Sequence, residues 1–188
     1  MADNSADTAT APSDGTSHGF FYGTLMAPEV FFTVCYRDGR PPAAIANGHV
    51  FRSAVLPGFT RHRVQNQEYP GIIEDDTPGA CVRGMLVSGV TDGNQHHLDF
   101  FEGSEYERRT VEVVLDAAGD EPKKTETETE TEKDKDAAET KKETAMAQVY
   151  VFKYPDLLER REWDFEEFRR EKMHKWSRAE YTFAGPFA

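Results

Sequence analysis

Residues 117–145 form a run of 29 positions without a single Val, Ile, Leu, Met, Phe, Trp or Tyr. A run of that composition cannot bury enough apolar area to offset the entropy of ordering it. Whatever this chain folds into must be assembled from the two blocks on either side, with the run left out of the core. Residues 1–16 are excluded on the same ground, since Met1 is their one large apolar side chain. The rest carries all 13 Phe, all 7 Tyr and both Trp of the 188-residue chain, enough for one core. At roughly 100–200 residues per domain, the length fits one domain. The expected organisation is a disordered N-terminal tail over 1–16 and a single domain over 17–188, interrupted by a disordered charged insert at 117–145.

Charge narrows the function classes. Asp and Glu number 34 against 22 Lys and Arg, a formal net charge of −12. A chain so acidic is repelled by phosphate backbones, which argues against nucleic acid as a partner. No segment approaches the ~18 consecutive apolar residues of a membrane span. The N-terminal residues lack both a basic n-region and an apolar h-region, so no secretory signal is read there, and their Asp residues without Arg do not suit a mitochondrial transit peptide. Cys35 and Cys81 make neither a Cys-x-x-Cys pair nor a disulfide framework, and both are expected in the core. A soluble protein of the cytosol or nucleus follows, with a cytoplasmic location as the expectation.

Aromatic and Gly residues over 18–24 read as a buried strand. Pro28 suits a first helical position, and Val30, Phe31, Val34 and Cys35 follow at helical spacing until Arg37-Asp38-Gly39. Strand-like stretches come next at 49–56, 59–64, 70–74 and 82–90, separated by Pro57-Gly58, a polar run and Asp75-Asp76-Thr77-Pro78-Gly79. A short helix is expected over 92–101, with Asp92 as N-cap, Leu98 and Phe101 inward, and Gly103 past its end. Residues 109–115 alternate, and 146–152 form another strand, so the charged run between them reads as an expanded hairpin loop. A last helix over 164–178 starts at Asp164, with Glu167 in capping-box-like spacing, and carries Phe165, Phe168, Met173 and Trp176 on one stripe. The aromatic tail 181–188 is expected to pack back onto the body. Strands surrounding a few short helices, without repeated strand–helix alternation, define an α+β domain.

Two readings stand for Tyr22-Gly23-Thr24-Leu25, which falls where a strand turns into a helix. It is a tight turn, or its N–H groups hold an anion at a helix start bearing about half a positive charge. Without a Gly-x-Gly-x-x-Gly or Gly-x-x-x-x-Gly-Lys-Ser/Thr pattern, a small carboxylate fits better than a nucleotide phosphate. Glu102 is likewise either an exposed helix-terminal residue or a carboxyl beside Phe100 and Phe101 at the negative end of a helix dipole. In the second case burial and dipole both raise its pKa, as a proton shuttle requires. Tyr69-Pro70-Gly71 and Glu105-Tyr106 would line a pocket or simply join the core. His96 and His97 point ~100° apart on a helix and do not share an ion easily. No His-Glu-x-x-His spacing occurs either, so no metal is expected. No Gly-x-Ser-x-Gly elbow supports a serine hydrolase. The Thr-Glu repeat at 125–132 reads as a solvated loop, with docking or phosphorylation as the alternative.

Three blocks follow one another along the chain. They are Phe20-Phe21-Tyr22-Gly23-Thr24-Leu25, then Leu98-Asp99-Phe100-Phe101-Glu102-Gly103-Ser104-Glu105-Tyr106-Glu107-Arg108, then Thr110-Val111-Glu112-Val113-Val114-Leu115. Tyr69-Pro70-Gly71-Ile72 and Val82-Arg83-Gly84-Met85-Leu86 fit between the first two. In order and spacing the blocks resemble the gamma-glutamylcyclotransferase family. Glu162-Trp163-Asp164-Phe165-Glu166-Glu167-Phe168 is similar to its plant and fungal, avirulence-induced-gene-like branch.

The resemblance implies a compact mixed β-barrel with a few flanking helices and a pocket at its mouth. It implies that backbone N–H groups of Tyr22, Gly23, Thr24, Leu25, Met26 and Ala27 hold the gamma-glutamyl part of a small-molecule substrate. It also implies Glu102 as the catalytic proton acceptor and donor. The reaction is then an intramolecular acyl transfer without a cofactor. The substrate's own α-amine closes on its γ-carbonyl, giving 5-oxoproline and a released amine or amino acid. Two alternatives share the fold: a non-catalytic barrel that binds a small ligand or partner, and an acyltransferase acting on other gamma-glutamyl compounds.

Overall fold

The structure, a computed structural model, describes residues 15–116 and 142–176. Strand β1 (Thr16–Phe21) leads through one 3-10 turn (Thr24–Met26) into helix α1 (Pro28–Tyr36). A one-turn helix α2 (Ala43–Ala46) precedes β2 (Val50–Pro57), β3 (Phe59–Arg63), β4 (Pro70–Glu74) and β5 (Cys81–Thr91). Helix α3 (Asp92–Glu102) and a second 3-10 turn (Gly103–Glu105) feed β6 (Tyr106–Leu115). Strand β7 (Thr144–Phe152) is followed by α4 (Phe165–Glu171) and α5 (Met173–Trp176).

Among the described residues, β1, β5, β2, β6 and β7 close into a barrel in that order, while β3 and β4 pair as a separate two-stranded sheet. The barrel ladders are antiparallel except where β1 meets β7 in parallel, with Gly19 opposite Gln148. A mixed barrel with flanking helices is the α+β architecture expected from the sequence.

Side chains alternate across a strand, and the two cores follow from that. Phe20 on β1 and Val149 and Val151 on β7 join an inner cluster that draws on all five barrel strands. Their neighbours Phe21, Tyr150 and Phe152 face the other way, against Val30 and Phe31 of α1, Leu98 of α3 and Phe168 of α4. Phe20 and Phe31 are fully buried, and replacing either with Ala costs about 3–5 kcal/mol.

Several local expectations are corrected. Strand β1 stops at Phe21, because the chain turns at Gly23 into the 3-10 turn. The N-cap of α3 is Thr91 and not Asp92. Thr91 Oγ1 accepts the Asn94 amide and Asn94 Oδ1 accepts the Thr91 amide, a reciprocal pair that Asp92, at the first helical position, cannot form. Asp164 does cap α4, accepting the amides of Glu166 and Glu167. The last helix is broken at Lys172 into α4 and α5, and its expected end falls outside the described residues. Cys81 is exposed at the start of β5, whereas Cys35 is buried on α1. Most of the N-terminal tail, most of the charged insert and the tail at 181–188 also lie outside the described residues, but Thr16 belongs to β1 and Thr144 and Ala145 to β7. No helix among those residues is long and apolar enough to cross a membrane.

Candidate active site

At the end of the barrel where β1 and β7 finish and β6 begins, a cavity holds about 580 Å³ of non-atom space, part of it open to solvent. One wall is the turn from Tyr22 to Leu25, and the opposite one includes Glu102 at the last position of α3. Tyr69, Pro70, Glu105 and Tyr106, which the sequence left between pocket and core, also line it. The two separate sequence segments singled out for chemistry thus share one cavity.

The turn presents donors. Its 3-10 hydrogen bonds run from Met26 N to Gly23 O at 3.0 Å and from Ala27 N to Thr24 O at 3.2 Å. Met26 and Ala27, expected among the donors, therefore spend their N–H groups inside the turn, and neither lines the cavity. Among the described residues the Gly23, Thr24 and Leu25 amides have no backbone acceptor in a turn, loop or cap. Pro28 opens α1 directly behind them, at the first helical position. A Cβ at Gly23 would lie 3.0 Å from Pro70 Cγ, so glycine allows the turn its close approach to β4.

Glu102 is half-buried. The packing around its carboxyl, with the Asp99 charge one turn earlier as the second cause, pushes its pKa from 4.5 up to about 8. Gly103 follows with φ 70°, a positive φ that favours glycine, and α3 ends immediately after Glu102. Asp99 is itself compensated: Arg108 Nη1 lies 2.9 Å from its Oδ2, and the Tyr150 hydroxyl donates to Oδ1 at 2.7 Å.

Four tyrosines surround the carboxyl, and each hydroxyl proton is committed. Tyr22 donates to the Tyr150 carbonyl at 2.6 Å, Tyr69 to Glu105 Oε2 at 3.1 Å, Tyr106 to the Pro70 carbonyl at 2.8 Å, and Tyr150 to Asp99. Burial raises the pKa of all four, with neighbouring carboxylates adding to the effect. They stay protonated near neutrality, which leaves Glu102 as the wall group poised to exchange a proton there.

Tyr150 and Trp176 line the cavity without having been marked by sequence. The side on which Tyr150 falls depends on the β6–β7 register, and Trp176 stands on α5, beyond the break at Lys172. His97, by contrast, spends Nδ1 on the Cys35 carbonyl, 2.9 Å away, in the α1–α3 packing. Among the described residues no group of three or more His, Cys, Asp or Glu is placed to hold a metal ion.

Fold and site together define a small α+β barrel protein with a carboxyl of raised pKa in the wall of a cavity. Residues 19–169 match the family described as Gamma-glutamyl cyclotransferase, AIG2-like. The chain is 36% identical over 154 residues to AIG2-like protein C of Arabidopsis thaliana, covering 80% of this chain and 68% of that one. It is 32% identical over 170 residues to AIG2-like protein D of the same plant, covering 90% of each. A solution structure of another Arabidopsis thaliana protein matches with a TM-score of 0.54 at 26% identity, over 89% of this chain and 81% of that one. A second matches with a TM-score of 0.53 at 28% identity, over 88% of each. The chain belongs to the gamma-glutamyl cyclotransferase, AIG2-like family.

Proposed function

We propose that this protein is a gamma-glutamylcyclotransferase that converts a gamma-glutamyl amide into 5-oxoproline and a free amine. One observation carries the reading: a carboxyl whose pKa is raised to about 8 shares a cavity with the free amides of Gly23, Thr24 and Leu25. The turn amides hold the substrate α-carboxylate, which points the α-amine toward Glu102. The α-ammonium passes a proton to the Glu102 carboxylate, whose raised pKa makes it a better acceptor than an ordinary carboxylate. The freed amine attacks the γ-carbonyl and closes a five-membered ring, a reaction that positioning within one molecule accelerates. Protonated Glu102 then donates to the departing nitrogen as its bond to the carbonyl carbon breaks. The surplus proton on the ring nitrogen returns to the Glu102 carboxylate and leaves with the amine product. Each step closes on substrate and chain alone, so no cofactor enters the scheme.

The cytoplasm is the proposed site of action, consistent with two cysteines that are both free. The test is 5-oxoproline release from a panel of gamma-glutamyl amides, wild type beside Glu102→Gln. Release that vanishes in the variant, with the circular dichroism spectrum unchanged, supports the mechanism. A folded wild type that releases nothing from any panel member sinks it and leaves a ligand-binding or acyl-transferring barrel.

A further inference from the structure

The peptide that opens the turn is gripped from behind. Arg61 Nη1 donates to the Tyr22 carbonyl at 2.9 Å, while Nη2 lies 3.1 Å from Glu162 Oε1. The guanidinium sits 5.6 Å from the centroid of the Trp163 ring, and the Arg61 side chain keeps only 11% of its surface exposed. Nη1 is also 3.5 Å from the Arg83 carbonyl, and Nε is buried without a partner. A fixed positive charge is costly to desolvate so far. Its shortest contact to any partner is the Tyr22 carbonyl.

A trans peptide sends its C=O and N–H to opposite sides. With the Tyr22 carbonyl turned to Arg61, the Gly23 N–H of the same peptide points away from the guanidinium. Gly23 lines the cavity, and its amide has no backbone acceptor in the turn. Strand β3 delivers the cation, with Arg61 opposite Ile72 of β4 in the two-stranded sheet, one position after the Gly71–His62 pair.

We propose that Arg61 is a positioning residue for the substrate loop. It fixes the Tyr22–Gly23 peptide with the N–H toward the cavity, and its charge draws electron density from the carbonyl. That makes the Gly23 N–H a stronger donor to the substrate carboxylate, since linked hydrogen bonds polarise one another and those to charged groups are the stronger ones. The inference rests on the reading of this turn as the carboxylate holder. Its rival is a plain strut in which Arg61 ties Tyr22 to Glu162. The Glu162 side chain is 75% exposed, so neutralising it takes the ion pair out of the strut while leaving Arg61 on the Tyr22 carbonyl.

The experiment compares full-length wild type, Arg61→Met, Arg61→Lys and Glu162→Gln. It reads kcat and KM on the gamma-glutamyl amide that wild type turns over, together with the Gly23 amide resonance in a 1H–15N spectrum. Arg61→Met should raise KM about tenfold with kcat nearly unchanged, as loss of a contact made equally in ground and transition states requires. The Gly23 amide proton should move upfield in the same variant. Glu162→Gln should leave both readouts at wild type, and Arg61→Lys, which keeps the charge and protects the fold, should fall between. Equal effects of Arg61→Met and Glu162→Gln on KM would establish the strut and overturn the proposal, as would a Gly23 resonance that does not move. If wild type releases no 5-oxoproline, the cyclotransferase reading fails by itself. The resonance then decides alone: movement in Arg61→Met but not in Glu162→Gln keeps the positioning role, and its absence ends it.

Discussion

Asp99 stands one helical turn ahead of Glu102 on α3, and its charge adds to burial in pushing the Glu102 carboxyl up to about 8. The aspartate is anchored by Arg108 and by the Tyr150 hydroxyl, so its distance from Glu102 is set by the fold and not by a free rotamer. Because the reaction starts from the ionised carboxylate and the protonated α-amine, kcat/KM should climb with pH through about 8 and fall again where the substrate ammonium is lost. Asp99→Asn should move that midpoint to lower pH by removing the like charge. A pH–rate profile of both proteins measures it, and coincident midpoints would dismiss the coupling.

The same carboxyl destabilises the fold once it ionises. Its pKa in the folded state, about 8, lies above the ordinary 4.5. The native state therefore holds the proton more tightly than the unfolded chain, and stability falls as pH rises through that window. Glu102→Gln should be more stable than wild type near pH ~9, on the order of 2 kcal/mol after allowing for solvent screening, and no more stable near pH ~4. Urea unfolding at the two pH values reads the difference. The variant expected to lose turnover is thus the one expected to gain alkaline stability, a trade common at active sites.

Gly23→Ala probes the close approach of the turn to Pro70. The added Cβ would lie 3.0 Å from Pro70 Cγ and 3.1 Å from Cδ, so the turn must shift by a few tenths of an ångström. A shift that small costs the fold about 1 kcal/mol, but it misdirects the Gly23, Thr24 and Leu25 amides. The expected outcome is a KM raised about tenfold with a melting temperature lowered by only a few degrees. Kinetics and a thermal melt on the same preparation would test it, and an unchanged KM would remove the turn from substrate binding.

The chain has two cysteines, and their settings differ sharply. Burial pushes the Cys35 thiol up to about 12, whereas Cys81 is exposed at the start of β5. A thiolate-selective reagent at neutral pH should modify one thiol quickly and the second only after denaturation. Two fast thiols in the native protein would contradict the packing of α1 against the barrel.

How far the sequence could be read depended on whether a residue's role is local. The turn after β1 announces itself through Gly23 between an aromatic strand and Pro28, and Glu102 through Phe101 at a helix end, whereas Phe100 beside it is exposed. Both signals lie within a few residues of the group they mark. Tyr69 and Tyr106 look the same in a pocket wall as in a core, and only barrel closure tells the two apart. Arg61 is further out of reach, since the carbonyl it grips lies 39 positions away in sequence. The stripe of Phe165, Phe168, Met173 and Trp176 predicts one helix. The Lys172 ammonium instead reaches Glu68 at 3.3 Å, and the chain breaks there. Asp92 looked like the cap because Asp is a strong N-cap type. The reciprocal bond between Thr91 and Asn94 won because it satisfies two amides at once.

The hairpin of β6 and β7 separates innovation from chemistry. Tyr106, which lines the cavity, and Leu115 sit at opposite ends of β6, roughly 30 Å apart at about 3.4 Å per residue. The far end is clamped by Leu115 N to Glu143 O at 2.8 Å, by Asp116 N to Ser53 O at 3.0 Å and by Arg52 on the Glu143 carboxylate at 2.7 Å. A chain that leaves and re-enters at so firm a stem can lengthen, shorten or change composition without disturbing the far rim. That stem is therefore the natural place to splice in a reporter or a foreign peptide, at the end of β6 away from the cavity.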